Sequence, residues 1–131
     1  MALLATSLSI FANHLVGMDL LYTHVVGNTY RITLIAYADC GSASSTSAYA
    51  ALPTNTPTIH IYDGGSYLSS INLSIQAPSA GVEITPVCPS FLSLTQCTDP
   101  TFTTPGIKKF VYSGNYTLPY ASSVWRFIFT G

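Results

Sequence analysis

The chain has 131 residues, of which 48% are hydrophobic and 7% are charged, and its formal net charge is −1. This length predicts one domain that can bury a core without obligatory cross-links. The near-neutral charge argues against nucleic acid or an anionic membrane surface as a partner. Ser and Thr number 16 each, so hydroxyl groups must supply most of the polar surface. This composition favours an exported or assembled protein over a cytosolic enzyme.

The N-terminal segment, residues 1–12, is an apolar run that ends in a small residue. It is similar to the rear half of a secretory signal peptide, although the basic region that opens such peptides is missing. It is too short to span a bilayer. The alternative is that it forms an extra N-terminal strand. We therefore predict a single domain over residues 13–131, preceded by a signal-peptide remnant or by such a strand.

Residues 14–40 carry the strongest local pattern, because two apolar, β-rich runs flank a Gly27-Asn28 pair. Gly and Asn tolerate the positive φ angles of a tight hairpin turn, so the pattern predicts an antiparallel hairpin. Alternation along the second run places Ile32 and Leu34 on one face, where we expect the core. The opposite face is mixed rather than polar, which predicts a central strand.

The later predicted strands are short, and Pro-, Gly- or Ser-rich segments separate them. They cover residues 57–63, 67–75, 82–85, 108–118 and 122–130. Asp63, Gly64 and Gly65 form a second predicted hairpin turn, and residues 41–56 have the composition of a loop. No stretch shows helical periodicity with caps. About seven strands at this spacing predict an all-β, immunoglobulin-like antiparallel β-sandwich.

The order of the motifs resembles a known family. The motifs are HLVGMDLLY, YRITLIAYADC, IHIYDGG, FVYSGNYTLP and VWRFIF. Together they resemble the N-terminal β-sandwich region of large, secreted, multidomain, adhesin-like surface proteins of gliding and related Bacteroidetes. Met18 stands where that family usually has Gly, and the Cys-rich segment that often follows the family's Trp strand is not in this sequence. The resemblance implies a secreted or cell-surface protein with neighbouring domains in a longer polypeptide.

Three cysteines are the most informative reactive groups. Cys88 and Cys97 lie nine positions apart across a predicted loop, and an exported chain can keep a disulfide there. Such a bond would stabilise the fold by about 2 to 3 kcal/mol in the chain-entropy treatment. Cys40 is then unpaired, and the family resemblance implies that its partner lies beyond Gly131. A zinc site is the rival hypothesis, but no CxxC pair and no close His pair is present.

The remaining polar groups do not predict a catalytic site or a cofactor. The three histidines are His14, His24 and His60, and no GxSxG motif accompanies them. The five carboxylates are too scattered to define a catalytic pair, and Asp63 has a sufficient role in its turn. A calcium site of loop carboxylates stays open, although EF-hand spacing is missing. We predict no catalytic residue, no metal ligand and no cofactor.

Trp125 and the many tyrosines leave two interpretations. We expect Trp125 to pack in the core with Ile32 and Leu34, because sandwiches often bury one large aromatic residue. An exposed row of rings would instead favour stacking on sugars, as in carbohydrate-binding modules. The last strand, residues 124–130, is apolar on nearly both faces. It should therefore lie inside a sheet, be covered by a following domain, or pair with another chain.

These observations lead to one main functional hypothesis and two alternatives. The main hypothesis is a non-enzymatic structural or adhesion domain of an exported cell-surface protein or surface filament. The alternatives are a carbohydrate-binding module for extracellular polysaccharide and a self-assembling fibre subunit that uses strand donation. The expected partners are neighbouring domains, copies of the same chain, or surface polysaccharide. We expect no nucleic acid and no membrane span.

Overall fold

The computed structural model describes residues 15–41 and 47–131. Eight strands account for about half of these residues. They are β1 (Leu15–Val26), β2 (Thr29–Asp39), β3 (Thr58–Asp63), β4 (Ser66–Asn72), β5 (Ser74–Ile75), β6 (Val82–Glu83), β7 (Ile107–Thr117) and β8 (Trp125–Phe129). A short helix α1 (Ser47–Ala51) and a 3₁₀ helix (Pro89–Leu94) complete the elements. No helix in the described ranges is long and apolar enough to cross a membrane.

The strands form two antiparallel sheets. The first sheet has the order β1-β2-β7-β5, with β6 also paired to β7, and the second has the order β4-β3-β8. Every named strand pair is antiparallel. Buried side chains from both sheets meet in one core cluster. This arrangement confirms the predicted all-β antiparallel sandwich, with eight strands instead of about seven.

The first predicted hairpin is confirmed as β1 and β2, with Leu20 opposite Leu34. Its turn differs from the prediction in one respect. Gly27 has a positive φ of 55°, whereas no described residue other than glycine has one, so Asn28 does not. The side chain of His24 supports the turn, because its Nε2 donates a hydrogen bond to the Gly27 carbonyl oxygen at 2.8 Å. One left-handed residue is therefore sufficient to reverse the chain here.

The second predicted hairpin is confirmed at Asp63, Gly64 and Gly65, between β3 and β4. The predicted return strand over residues 67–75 is nevertheless two strands in two sheets. β4 pairs with β3, whereas β5 pairs with β7. Leu73 lies between them, fully buried, and its N–H donates to the Pro57 carbonyl oxygen at 2.8 Å. One continuous alternating pattern thus crosses from one layer of the sandwich to the other.

The predicted loop over residues 41–56 is wrong where it includes α1. Five residues are too few to show a helical period in the sequence, and tertiary contacts hold this segment instead. The ring of Tyr49 packs edge-on against Phe110 with centroids 6.1 Å apart, and Leu52 is buried. Residues 1–14, which include the predicted leader or strand and His14, lie outside the described residues, as do residues 42–46.

The core lies between the alternating inner faces of β2, β3 and β7. Its fully or almost fully buried members include Ile32, Leu34, Ile59, Leu73, Phe110 and Tyr112. The hydroxyl of Tyr112 donates to the Leu52 carbonyl oxygen at 2.7 Å. Burial raises the pKa of Tyr112 to about 12, because the phenolate would lose its hydration. The predicted core positions Ile32 and Leu34 are confirmed.

Trp125, the third predicted core residue, is only partly buried and lies outside the core cluster. The physical reason is the position of β8, which is the outer strand of its three-stranded sheet. No described strand packs beyond it to cover the indole. Of the three alternatives predicted for the last strand, a position inside a sheet is wrong for the same reason, and the other two stay predictions.

Burial predicts that alanine substitutions of two leucines on neighbouring strands lower the free energy of unfolding by different amounts. Leu34→Ala should lower the free energy of unfolding by about 2 to 5 kcal/mol, because the side chain is 2% exposed and leaves a cavity. Leu21→Ala is the matched control, since Leu21 is 51% exposed, and should cost less than about 1 kcal/mol. Chemical denaturation monitored by Trp125 fluorescence measures both. Equal losses would contradict the register of the hairpin.

Candidate functional site: an open edge of the sandwich

Within the described residues, both sheets end in an unpaired outer strand on the same side of the sandwich. β1 is the outer strand of the first sheet and β8 is the outer strand of the second. They lie one above the other, since the rings of Tyr22 and Phe127 have centroids 5.9 Å apart. We call this side, formed by β1, β8 and the side chains between them, the open edge. On the opposite side, the chain itself joins the two sheets at Leu73.

The inner face of β1 lines the open edge with apolar side chains. Met18, Leu20 and Tyr22 lie opposite Ala36, Leu34 and Ile32 of β2, so they point towards the second sheet. Their β2 partners are buried, but Met18 is 43% exposed and Tyr22 is 65% exposed. An apolar groove, which the second sheet covers only in part, therefore runs along this side of the sandwich.

The groove has an apolar end and an aromatic end. The apolar end is a cavity of about 280 Å³ where β1, β8 and α1 meet. It is lined by Leu15, Met18, Tyr49, Leu52 and Phe129, among others. None of its described lining residues has a charged side chain, so it would suit an apolar side chain or segment.

The aromatic end is a cleft of about 200 Å³. It is lined by Tyr22, Tyr30, Leu118, Ser122, Ser123, Trp125 and Phe127. The ring of Trp125 also contacts Tyr120, with centroids 5.2 Å apart. The indole Nε1 is buried without a hydrogen-bond partner, alone among side-chain nitrogen and oxygen atoms of the described ranges. An unpaired buried donor costs about 1 to 3 kcal/mol.

Asp63 holds the aromatic end together. Its carboxylate accepts hydrogen bonds from the Tyr120 hydroxyl at 2.9 Å and from Ser122 Oγ at 2.7 Å. The bond to this carboxylate raises the pKa of Tyr120, because it favours the protonated phenol. The N–H of Gly64 also donates to the Val124 carbonyl oxygen at 3.0 Å. Asp63 was predicted only as a turn residue, yet it also positions the segment that leads into β8.

The cysteines pair differently from the prediction. Cys40 is bonded to Cys97, with Cα atoms 4.7 Å apart, and Cys88 is an exposed free thiol. The predicted Cys88–Cys97 bond was wrong because it relied on distance along the chain. Tertiary folding places the end of β2 against the loop before β7, where the Cys40 N–H donates to the Gly106 carbonyl oxygen at 2.9 Å. The partner of Cys40 is thus within this domain and not beyond Gly131.

The same end of the molecule contains the most buried polar network. Glu83 accepts hydrogen bonds from Thr85 at 2.7 Å and from Thr95 at 2.5 Å. Thr95 is fully buried, and Thr85 Oγ1 in turn accepts from the Ile107 N–H at 3.0 Å. These bonds satisfy the polar groups that the disulfide-linked loop brings inside. Glu83 therefore has a structural role.

The other predicted polar groups do not converge on one place. Asp19 accepts from the Tyr37 hydroxyl at 2.9 Å, Asp39 from the Gly41 N–H at 2.9 Å, and Asp99 from the Thr101 N–H at 2.9 Å. This last bond lowers the pKa of the Asp99 carboxyl. Within residues 15–41 and 47–131, no three His, Cys, Asp or Glu side chains form a cluster that could hold a metal ion.

A second ring cluster, which was not predicted from the sequence, lies on the outer face of the β3–β4 hairpin. The ring of Tyr67 lies 5.5 Å from that of Tyr62 and 5.9 Å from that of His60, measured between centroids. Alternation along β3 places His60 and Tyr62 on the face away from the buried Ile59 and Ile61. The sequence therefore indicated that these two side chains share the outer face of the strand. The neighbouring position of Tyr67 depends on the bulge between Ile61 and Tyr62.

No family model, no curated protein and no solved structure matches this chain. The resemblance to Bacteroidetes surface proteins therefore stays a prediction. The open edge and the disulfide are the features of this chain that bear on its function.

The disulfide leads to a labelling and stability prediction. Without reductant, unfolded oxidised protein should show one reactive thiol per chain, that of Cys88. The paired change Cys40→Ser with Cys97→Ser should cost about 4 kcal/mol in the chain-entropy treatment, because the bond closes a loop of 57 residues. Cys88→Ser is the control and should leave stability within about 0.5 kcal/mol. Mass mapping that finds Cys88 bonded to Cys97 would contradict the structure.

Proposed function

We propose that this domain is a non-enzymatic structural or adhesion domain of an exported surface protein, and that it associates with its neighbours through the open edge. The observation that carries the proposal is the coincidence of two unpaired strands, β1 and β8, over an apolar groove. Unpaired strand edges are templates for adding another strand, and apolar patches mark sites of association.

The composition of β1 supports association over solvent exposure. The strand has 12 residues and one charged side chain, Asp19, whose carboxylate is engaged by the Tyr37 hydroxyl. Val16, Leu21 and Val26 add exposed apolar surface to the same strand. Natural proteins usually protect an edge with charges, proline or a short strand. β1 has no proline, is long, and carries only the one charge of Asp19.

The Cys40–Cys97 bond supports the proposed location. Disulfides persist in oxidising compartments such as the cell exterior and are rare in the cytosol. This bond closes the end of the sandwich over the buried Thr95, which gives it a structural role. A domain with few charges also suits a surface that neighbours partly cover.

The positions of the polar groups favour a non-enzymatic role. Asp19, Asp39, Asp63 and Asp99 lie in separate local hydrogen bonds, and each supports a turn, a strand or a loop. None of the described histidines contacts a carboxylate in these bonds. A nucleophile, its base and a third orienting group need to lie within hydrogen-bond reach of one another.

A charge placed at the open edge tests this function. Tyr22→Lys should reduce the amount of protein retained on washed cells of the native source by about tenfold, the equivalent of about 1.4 kcal/mol. The reason is that a lysine on an edge strand opposes pairing and burial. Tyr67→Lys is the matched control. Tyr67 is 57% exposed and lies on β4, the outer strand of the second sheet that is away from the open edge. Equal retention of both variants would refute the proposal.

Binding to a neutral sugar is a second candidate function, favoured by the aromatic end of the groove. Rings of Tyr22, Tyr30 and Trp125 line a cleft, and the indole Nε1 of Trp125 is a buried donor without a hydrogen-bond partner. Flat apolar faces of a sugar can stack on such rings while its hydroxyls accept hydrogen bonds. The cleft has no charged lining residue, which would suit an uncharged polysaccharide.

The indole nitrogen allows a direct test of the sugar hypothesis. Trp125→Phe keeps an aromatic ring but removes the donor, so it should weaken binding of a neutral polysaccharide by about tenfold, as expected for a lost buried hydrogen bond. Tyr67→Phe, on β4 at the opposite edge of the same sheet, is the control. Calorimetric titration or a glycan array provides the measurement. If the unmodified protein binds no neutral glycan, this second function is excluded.

A further inference from the structure

We infer that β1 pairs antiparallel with β1 of a second copy of this chain, about a twofold axis that passes through Leu21. This inference rests on the proposed function and names the partner that the open edge takes. It would join the first sheets of two sandwiches into one continuous sheet. Such an isologous contact uses the same strand from both copies and closes after two copies.

The other outer strands explain why β1 is the strand that pairs. β8 has five residues and carries Arg126, and β5 has two residues. β4 is rich in serine, and its pairing with β3 is interrupted by a bulge. Short length, charge and bulges all oppose edge-to-edge pairing. β1 is longer than each of these strands, its one charged side chain is Asp19, and its two bulges lie near its ends, so a regular segment is left between them.

The regular part of β1 limits the possible registers. Its pairing with β2 is interrupted between Leu15 and Gly17 and again between His24 and Val26. Between these bulges, Met18, Leu20 and Tyr22 face inward, whereas Asp19 and Leu21 face outward. Residues directly opposite each other in a sheet must lie on the same face. A symmetric pair centred on the regular segment must therefore place its axis at Leu20 or at Leu21.

Side-chain complementarity selects the axis at Leu21. In that register Leu21 lies opposite Leu21 of the second copy, and Leu20 lies opposite Tyr22. The carboxylate of Asp19 lies opposite the hydroxyl of Thr23, which can donate to it. An axis at Leu20 would instead place Asp19 opposite Leu21, an apolar partner for a charge. Cross-strand pairs of matched polarity stabilise a sheet, so the first register is favoured.

The pairing also explains the exposure of the strand. Leu21 is 51% exposed and Tyr22 is 65% exposed in the single chain. A second β1 would cover both side chains and give hydrogen-bond partners to the backbone groups on the free side of the strand. Strand addition of this kind draws affinity from main-chain bonds and specificity from the alternating side chains.

Single cysteines can measure this register in the full chain. In a Cys88→Ser background, Leu21→Cys should form a disulfide-linked dimer on mild oxidation, since directly opposite residues lie within bonding distance. Thr23→Cys is the matched control on the same face. Its two thiols would be offset by about 13 Å along the strand, so its dimer should form at least about tenfold more slowly.

The outcomes separate this inference from the proposed function. If Leu20→Cys links faster than Leu21→Cys, the axis is wrong and the inference is overturned. If neither variant links and the unmodified chain sediments as a monomer at high concentration, self-pairing is overturned. In that case a loss of cell retention by Tyr22→Lys would leave the proposed function standing, with another domain or the chain's own N-terminal segment on the edge. Fast linking of Leu21→Cys beside normal retention of Tyr22→Lys would refute only the surface function.

Discussion

The alternation of β2 is the constraint on which the rest of the structure depends. Ile32, Leu34, Ala36 and Ala38 share one face of this strand and are buried against the second sheet. β2 is also paired along both sides, with β1 and with β7 over its whole length. A shift of one residue would turn this buried set outward and expose the core. The position of β1, and therefore of the open edge, follows directly from this register.

Two ends of the sandwich are stabilised in different ways. At one end, the Cys40–Cys97 bond and the hydroxyl bonds to Glu83 hold a long loop with little regular structure. At the other, Asp63 ties the β3–β4 turn to the segment before β8. The bonds of Asp63 stabilise the aromatic end of the groove, whereas neither device contributes a described lining residue to its apolar end. The apolar end of the groove is thus not stabilised by either set of contacts, which supports our proposal that the groove is a site of association.

Association and sugar binding make different demands on the same groove. Strand pairing uses the backbone of β1 and its outer face around Leu21. A sugar would use the inner cleft, where Trp125 and Tyr22 meet. The two functions could therefore coexist, since one takes the edge of the sheet and the other the space between the sheets. Tyr22 is the residue that both would share.

Local sequence determined the parts of this protein that depend on short-range patterns. Both hairpins, the turn glycines Gly27 and Gly64, and the core role of Leu34 follow from alternation and turn chemistry, which act over a few residues. The disulfide partner of Cys40, the partial exposure of Trp125 and the division of residues 67–75 between two sheets were decided only by tertiary structure. Each depends on which strands become neighbours and which remain at an edge. That choice is a balance of burial over the whole domain, and no short stretch of sequence records it.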